Sequence, residues 1–369
     1  MSNRCILSDD LLDRCAQRAI GYDRENRFFL EDFDELREAK YLLAAVPEEF
    51  GGLGLTLVET CREQRRLARR SAPTALGVNM YLLATGVATD LWRRGDKSQA
   101  WILEEAGRDA VFADGEVPPA IVVYVDAWSK YGGSQFVDSP GTGRYHSYLC
   151  DEIVSWVDAR YRTVPDAAHR AIMGKSSGGF GAMITPMLRP DLFGALATHA
   201  GDTLYEYCYL PAFATAVRHL RRYDADIWQW WEDFASRVAF TKEEDMHLLE
   251  VLGVAACFSA QPDGSVDLPF DPLTGVLRSA VWQRWLDWDP VRMVPAHAEA
   301  LRGLRAIWID AGTRDEYHLD LGAGAFRAAL RAIGIADELV YFELFDAGHG
   351  SIEYRYPMSL AWLCARMTK

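Results

Sequence analysis

The stretch IMGKSSGGFGAM, Ile172 to Met183, constrains this chain more than any other part of it. Gly174-Lys175-Ser176 resembles the end of a phosphate-binding loop, but such a loop needs a glycine five residues before the one that precedes its lysine. That position is His169, so the phosphate-cradling reading fails. The same residues satisfy G-x-S-x-G, with Gly174 and Gly178 flanking Ser176. HRAIM (169–173) reads as a strand and GGFGAMITPML (178–188) as a helix. Strand, strained serine turn and helix are the parts of a nucleophile elbow, where small flanking residues leave room for a serine at the tip. The helix start aims unpaired N–H groups and the positive end of its dipole at that serine. The N–H of Ser177 is then one donor for an oxyanion.

A serine nucleophile needs a base, and the base needs an acid to orient it; after an elbow of this kind they follow in the order Ser, acid, His. Of the eight histidines, His349 in FDAGHGS is the best placed, in a glycine-flanked loop after an expected strand. WIDAGTRDEY puts Asp315 in the loop after the preceding strand, 34 residues before His349, which leaves room for one helix and one strand. Asp310, at the expected strand end, is the rival acid, and Glu316 and Asp320 are weaker rivals. The other histidines read as structural, except that His199 ends the strand after the elbow helix and is expected to line the cleft.

The rest of the chain divides in character. To about Asp114 it reads as helix after helix, over 30–46, 56–71, 73–94 and 97–108, after a first helix capped by Ser8. Beyond ADGEVPP the pattern alternates. Strands are expected at 120–125 (AIVVYV), 169–173, 194–199, 305–310 and 338–345, with helices at 145–160, at 178–188 and between the last two strands. Alternation of this kind makes a mostly parallel sheet covered on both faces, an α/β fold. Residues 203–300 are an aromatic-rich helical insertion. The expected domains are therefore 1–114, all-α, and 115–369, α/β with a cap-like insertion.

A formal charge of −14 argues against a nucleic-acid partner. The basic run CREQRRLARR (61–70) reads as a solvated helix face. Seven cysteines with no CxxC pair suggest neither a disulfide framework nor a zinc site. With no apolar run of ~18 residues and no signal-like start, a reduced cytoplasmic protein with no membrane partner is expected.

From about Pro118 onward, the segments YGGSQFVDSPGTGRYHSYLCDEIVSWVDARYRT (131–163), GKSSGGFGA (174–182), HAGD (199–202), DAGTRDEY (310–317) and DAGHG (346–350) resemble, in order, the esterase D-like and antigen 85-like serine esterases of the α/β-hydrolase superfamily. The resemblance implies Ser176, Asp315 and His349 as the triad, hydrolysis of esters or thioesters through an acyl-serine, a small-molecule ester as partner, and no metal or cofactor. Residues 1 to about 114, with VPEEFGGLGLTLVE (46–59), resemble the N-terminal helical domain of acyl-CoA dehydrogenases. The flavin-binding and catalytic parts of that family have no counterpart here, so no flavin site is carried over.

Members of the esterase family begin with further strands, one of which lies between those matching 120–125 and 169–173 and supplies an oxyanion donor. The α/β-hydrolase-like sheet is thus N-terminally truncated. Direct pairing of 120–125 with 169–173 is expected, with the loop DAWSKYGGSQ (126–135) over the serine and Ala127, Trp128 or the Tyr131-Gly132-Gly133 amides as the second donor. Most insertion rings are expected to form its own core. Tyr205 and Tyr207, directly after HAGD, are expected to face the substrate together with Tyr131, Gly132 and His199. The helical unit is expected to cover the truncated sheet or to mediate self-association into a homo-oligomer. Other readings are an acyltransferase with the same triad, a catalytically impaired fusion acting as a binding or scaffold module, and a flavin-dependent dehydrogenase fragment.

Overall fold

The computed structural model describes residues 5–25, 29–95, 103, 120–237 and 240–367. The chain forms two compact units, Met1–Val117 and Pro118–Lys369. In the first, helices α1 (Asp9–Glu25), α2 (Leu30–Glu38), α3 (Leu57–Ala68) and α4 (Ala72–Arg93) bury Leu11, Cys15, Leu36, Tyr41, Leu67 and Val78 in a common core. The start of α3 is a capping box: the Thr56 hydroxyl accepts from Glu59 N–H, and the Glu59 carboxylate accepts from Thr56 N–H. The helix expected over 30–46 stops at Glu38, because Lys40 turns left-handed (φ 55°) into a short 3₁₀ turn at Tyr41–Leu43. The helix expected over 97–108 lies outside the described residues apart from Leu103.

The second unit is built on four parallel strands in chain order, β1 (Ala171–Ser176), β2 (Ala195–Gly201), β3 (Ala306–Gly312) and β4 (Val340–Phe345). Every residue of β2 and β3 is buried, since both have a strand on each side and helices above and below. Side-chain alternation sorts the two faces. Leu196, Ile307 and Ile309 meet Phe180 and Met183 of α6 (Ser177–Leu188) and Phe326 and Leu330 of α11 (Leu319–Ala332). Ala195, Ala197 and Trp308 meet Leu363 and Met367 of α12 (Arg355–Met367). This is the layered, helix-covered parallel sheet of an α/β-hydrolase-like fold. The helix expected over 145–160 is continuous, but it runs through a π-helical stretch, Tyr148–Ile153, before α5 (Val154–Arg160).

One expected strand does not form. Residues 120–125 form no strand, and among the described residues β1 is the edge of the sheet. Val125 alone is anchored, in the cluster that holds Leu149, Cys150, Val154, Phe193 and Ile172. Ile121, Val122, Val123 and Tyr124 stay exposed, Tyr124 at 94%. Direct pairing would bring this segment to ~4.8 Å from β1. Beyond it, Asp126 binds the Trp128 N–H and the chain turns into the hairpin Trp128–Ser129/Gly132–Gly133.

The insertion packs α7 (Leu210–Leu220), α8 (Ile227–Ala235), α9 (Asp245–Phe258) and α10 (Ser279–Leu286) around their own rings. Phe213 meets Trp282 edge-on at 5.5 Å, and Trp230 and Trp285 are fully buried. Most of the aromatic residues singled out in this segment are thus core. Among the described residues no helix is long and apolar enough to cross a membrane.

Candidate active site

Strand β1 delivers Ser176 at its C-terminal end with φ 56° and ψ −125°, a positive-φ backbone that an L-residue adopts only under constraint. The register against β2 shifts between Lys175 and Ser176, so that Ser176 stands opposite Gly201. The constraint comes from α6 folding straight back over the strand. A Cβ on Gly174 would lie 2.3 Å from the Gly178 carbonyl oxygen, so the first glycine of the motif is what lets the turn close. Ser177 opens the helix, and its N–H belongs to the first turn, which has no intrahelical acceptor.

The loops after β3 and β4 are tied together before either meets the serine. Thr313 N–H donates to the Phe345 carbonyl at 2.8 Å and Arg314 N–H to that of Ala347 at 2.9 Å. Gly312 is packed so closely that a Cβ would lie 2.3 Å from the Ala347 oxygen. Across this seam Asp315 Oδ2 is 2.8 Å from His349 Nδ1, and His349 Nε2 is 3.1 Å from Ser176 Oγ. Asp315 Oδ1 accepts from Tyr317 N–H at 2.9 Å, which fixes the carboxylate plane. The His349 backbone N–H donates to Glu316 at 2.8 Å, and the Tyr317 ring stands edge-on to the imidazole, 4.9 Å between centroids. That backbone donor is the main reason the Glu316 carboxyl is held below its usual range.

Behind the serine lies a polar group that sequence reasoning did not assign. Asp202, buried at the end of HAGD, has Oδ1 at 3.4 Å from Ser176 Oγ, while Oδ2 accepts from Tyr209 OH at 2.8 Å and from Gln135 Nε2 at 3.3 Å. Burial pushes its carboxyl upward. Glu250, on α9, is raised to about 7, chiefly by burial. Because the folded state raises this carboxyl, its stabilising contribution is full below the ordinary value of 4.5 and is lost as the pH climbs through about 7. Glu250→Gln is therefore expected to raise the unfolding free energy from urea denaturation near pH ~8, by up to roughly 3 kcal/mol, and to leave it nearly unchanged near pH ~4.5. An equal effect at both pH values would refute this account.

Several expected site residues lie elsewhere. His199 is buried, not in the cleft: Nδ1 meets Asp310 at 2.7 Å and Nε2 meets Ser359 at 2.9 Å. Asp310 is consequently engaged, and it also accepts from Trp308 Nε1 and Arg355 Nε. Tyr205 is fully buried against Tyr209 and Phe258, with its hydroxyl donating to the Trp288 carbonyl at 3.3 Å, because Asp289 pins the Leu204 and Tyr205 N–H groups. Tyr207, two residues on, is half exposed on the other side of the short helix Tyr205–Cys208. Tyr131 is core as well, edge-on to Trp231 at 5.0 Å. The Trp128 N–H is taken by Asp126 at 3.0 Å and that of Tyr131 by Ser129 at 3.2 Å, so neither serves an oxyanion. The part of the loop that stands at the elbow is Gly133, where a Cβ would lie 3.9 Å from Ser177 Oγ. Gly132 is half-buried at φ 102°. Asp320 lies in the first turn of α11.

Known proteins share both parts of this chain. Residues 10–100 match the family model "Acyl-CoA dehydrogenase, N-terminal domain". Over 76 residues the chain is 36% identical to "Putative acyl-CoA dehydrogenase YdbM" of Bacillus subtilis, covering 21% of this chain and 20% of that protein. Over 123 residues it is 28% identical to an endo-1,4-beta-xylanase/feruloyl esterase of Xylanibacter ruminicola, covering 32% and 16%. The chain thus spans a fifth or less of the curated relatives it matches. A solved ferulic acid esterase is similar at 20% identity and a TM-score of 0.36, covering 63% of each chain. Residues 91–352, well over half of the chain and including the elbow and both loops, match the family model "Putative esterase". This chain belongs to that esterase family.

Proposed function

We propose that the chain hydrolyses carboxylic esters, with Ser176 as nucleophile, His349 as general base and acid, and Asp315 holding the imidazole in the tautomer that accepts at Nε2. The observation that carries this reading is the continuous hydrogen-bonded line Asp315–His349–Ser176, at 2.8 and 3.1 Å, ending on a strained elbow. Ser176 Oγ attacks the carbonyl carbon as its proton passes to Nε2, and the carbonyl π pair moves onto the oxygen. Collapse expels the alcohol, which takes the proton from His349 and leaves an acyl-serine. Water, activated by the same base, then releases the acid. Ser177 N–H is the first donor to the oxyanion, and the Gly133 amide is the loop candidate for the second.

Thioesters fit the same chemistry, and feruloyl esters are a natural first aromatic substrate given the named activity of one relative. The test is incubation with a fluorophosphonate followed by intact and peptide mass spectrometry, alongside p-nitrophenyl acetate turnover. A single adduct on Ser176 with turnover is expected. A second reading, a binding module with an unused elbow, is favoured by the unpaired segment 120–125 beside an open sheet edge. No adduct and no turnover would establish that second reading instead.

A further inference from the structure

Ser176 has two acceptors within reach of its one proton. His349 Nε2 is 3.1 Å from Oγ, and Asp202 Oδ1 is 3.4 Å from the same atom. Only the first arrangement starts the reaction. The Asp202 backbone is fixed, since its N–H donates to the Ser176 carbonyl at 3.3 Å. Its two oxygens are held differently. Oδ2 takes both donors, Tyr209 OH and Gln135 Nε2, whereas Oδ1 meets only the Ser176 hydroxyl among the described residues. Gln135 is itself placed by a left-handed backbone (φ 49°), and Asp202 is 6% exposed.

The groups around Asp202 are Ser176 and His349 on the reaction side, Glu250 from α9, Tyr317 from the loop after β3, Tyr205, Cys208 and Tyr209 from the insertion, and Gln135. Of these, only His349 can carry positive charge. An ionised Asp202 would therefore sit without a permanent counter-charge. It would also be the stronger acceptor for the Ser176 proton, because a hydrogen bond to a carboxylate is roughly twice as strong as a neutral one.

We propose that Asp202 is a further catalytic residue acting as a neutral carboxylic acid: its Oδ1–H donates to Ser176 Oγ and so turns the serine's own proton toward His349. With Oδ2 occupied by two donors, the proton belongs on Oδ1, and the line becomes Asp202 to Ser176 to His349 to Asp315. Loss of the Asp202 proton reverses the first link. The serine then donates to Asp202, away from its base, and a second negative charge faces the oxyanion. Burial, which favours the neutral form of this carboxyl, works in the same direction.

The inference rests on the hydrolase reading above and makes separate demands. kcat/KM for p-nitrophenyl acetate is measured against pH for the wild type, Asp202→Asn and Asp202→Leu. The wild type is expected to lose activity on the alkaline side as Asp202 ionises. Asp202→Leu, which has no donor, is expected to lose about 10²-fold. Asp202→Asn, whose amide nitrogen donates at every pH, is expected to recover most of that loss and to lack the falling limb. An Asn variant as poor as Leu, or one that keeps the falling limb, overturns the proposal. Infrared difference spectra of wild type against Asp202→Asn at neutral pH read the proton directly, whatever the Leu variant does to folding. A protonated-carboxyl C=O band supports the proposal, and its absence overturns it. A wild type without turnover overturns the hydrolase reading; an active wild type with ionised Asp202 overturns only this one.

Discussion

Replacing Ser176 by alanine is expected to lower kcat for p-nitrophenyl acetate by about 10⁴- to 10⁶-fold, and His349→Ala by a similar factor. In the proposed mechanism the two act as one unit, because the serine is a poor nucleophile until its proton has somewhere to go. The double variant should therefore be no slower than either single one. Asp315→Asn is expected to cost about 10⁴-fold, since an amide in place of Oδ2 turns the imidazole into the wrong tautomer at Nε2. Steady-state rates of the four variants against the wild type, whose active sites are counted by fluorophosphonate titration, decide the matter. If the Ser176 and His349 losses multiplied in the double variant, the two residues would be independent and the triad account would fall.

Asp310→Ala is expected to do the reverse: large damage to the fold and little to the chemistry. Asp310 is completely buried between His199 Nδ1 at 2.7 Å, Trp308 Nε1 at 2.7 Å and Arg355 Nε at 2.8 Å. Removing it leaves the Arg355 guanidinium, itself 4% exposed, with Glu343 as its remaining carboxylate. Breaking a buried pair from one side typically costs about 3–5 kcal/mol, much of it from the uncompensated charge left behind. Urea denaturation should show that loss, while turnover per folded molecule stays within a few-fold of wild type. A collapse of kcat at an unchanged midpoint would instead make Asp310 the acid of the triad. The comparison with Asp315→Asn thus separates two aspartates five residues apart in one loop-and-strand segment.

Much of this was legible because local rules and tertiary demands agree. The alternation of apolar runs and amphipathic stretches marks all four strands of the sheet to within a few residues. Gly174, two residues before Ser176, announces a turn that no larger residue allows there. The interval from Asp315 to His349 holds α11, β4 and their connecting loops, so the order of residues carried the geometry. Legibility failed where a partner is chosen across the fold. AIVVYV has the composition of a buried strand, yet whether it pairs depends on which edge comes within hydrogen-bond reach. His199 ends a strand that feeds the cleft, but Asp310 and Ser359, 111 and 160 residues away, claim its ring. Tyr205 and Tyr207 both follow HAGD, but residues two apart on a helix cannot share a face, and only Tyr205 is buried. The donor at Trp128 was lost to a neighbour, Asp126, whose side chain closes the turn. Asp202 stood in view within HAGD; its contacts come from Gln135 and Tyr209, 67 residues before and 7 after, and no spacing rule joins those three.

The unpaired run at 120–125 also bears on how copies of this chain behave in company. Six consecutive residues without charge, glycine or proline, and mostly exposed, have the make-up of segments that stack into cross-β zippers. Their sequence neighbours are the kind that limit such stacking. Pro118 and Pro119 come immediately before the run, and neither has an N–H to lengthen a ladder. On the other side Asp126 would put like charges on top of one another at every layer. The run is thereby bracketed by gatekeepers, and any zipper that began there would be confined to six residues.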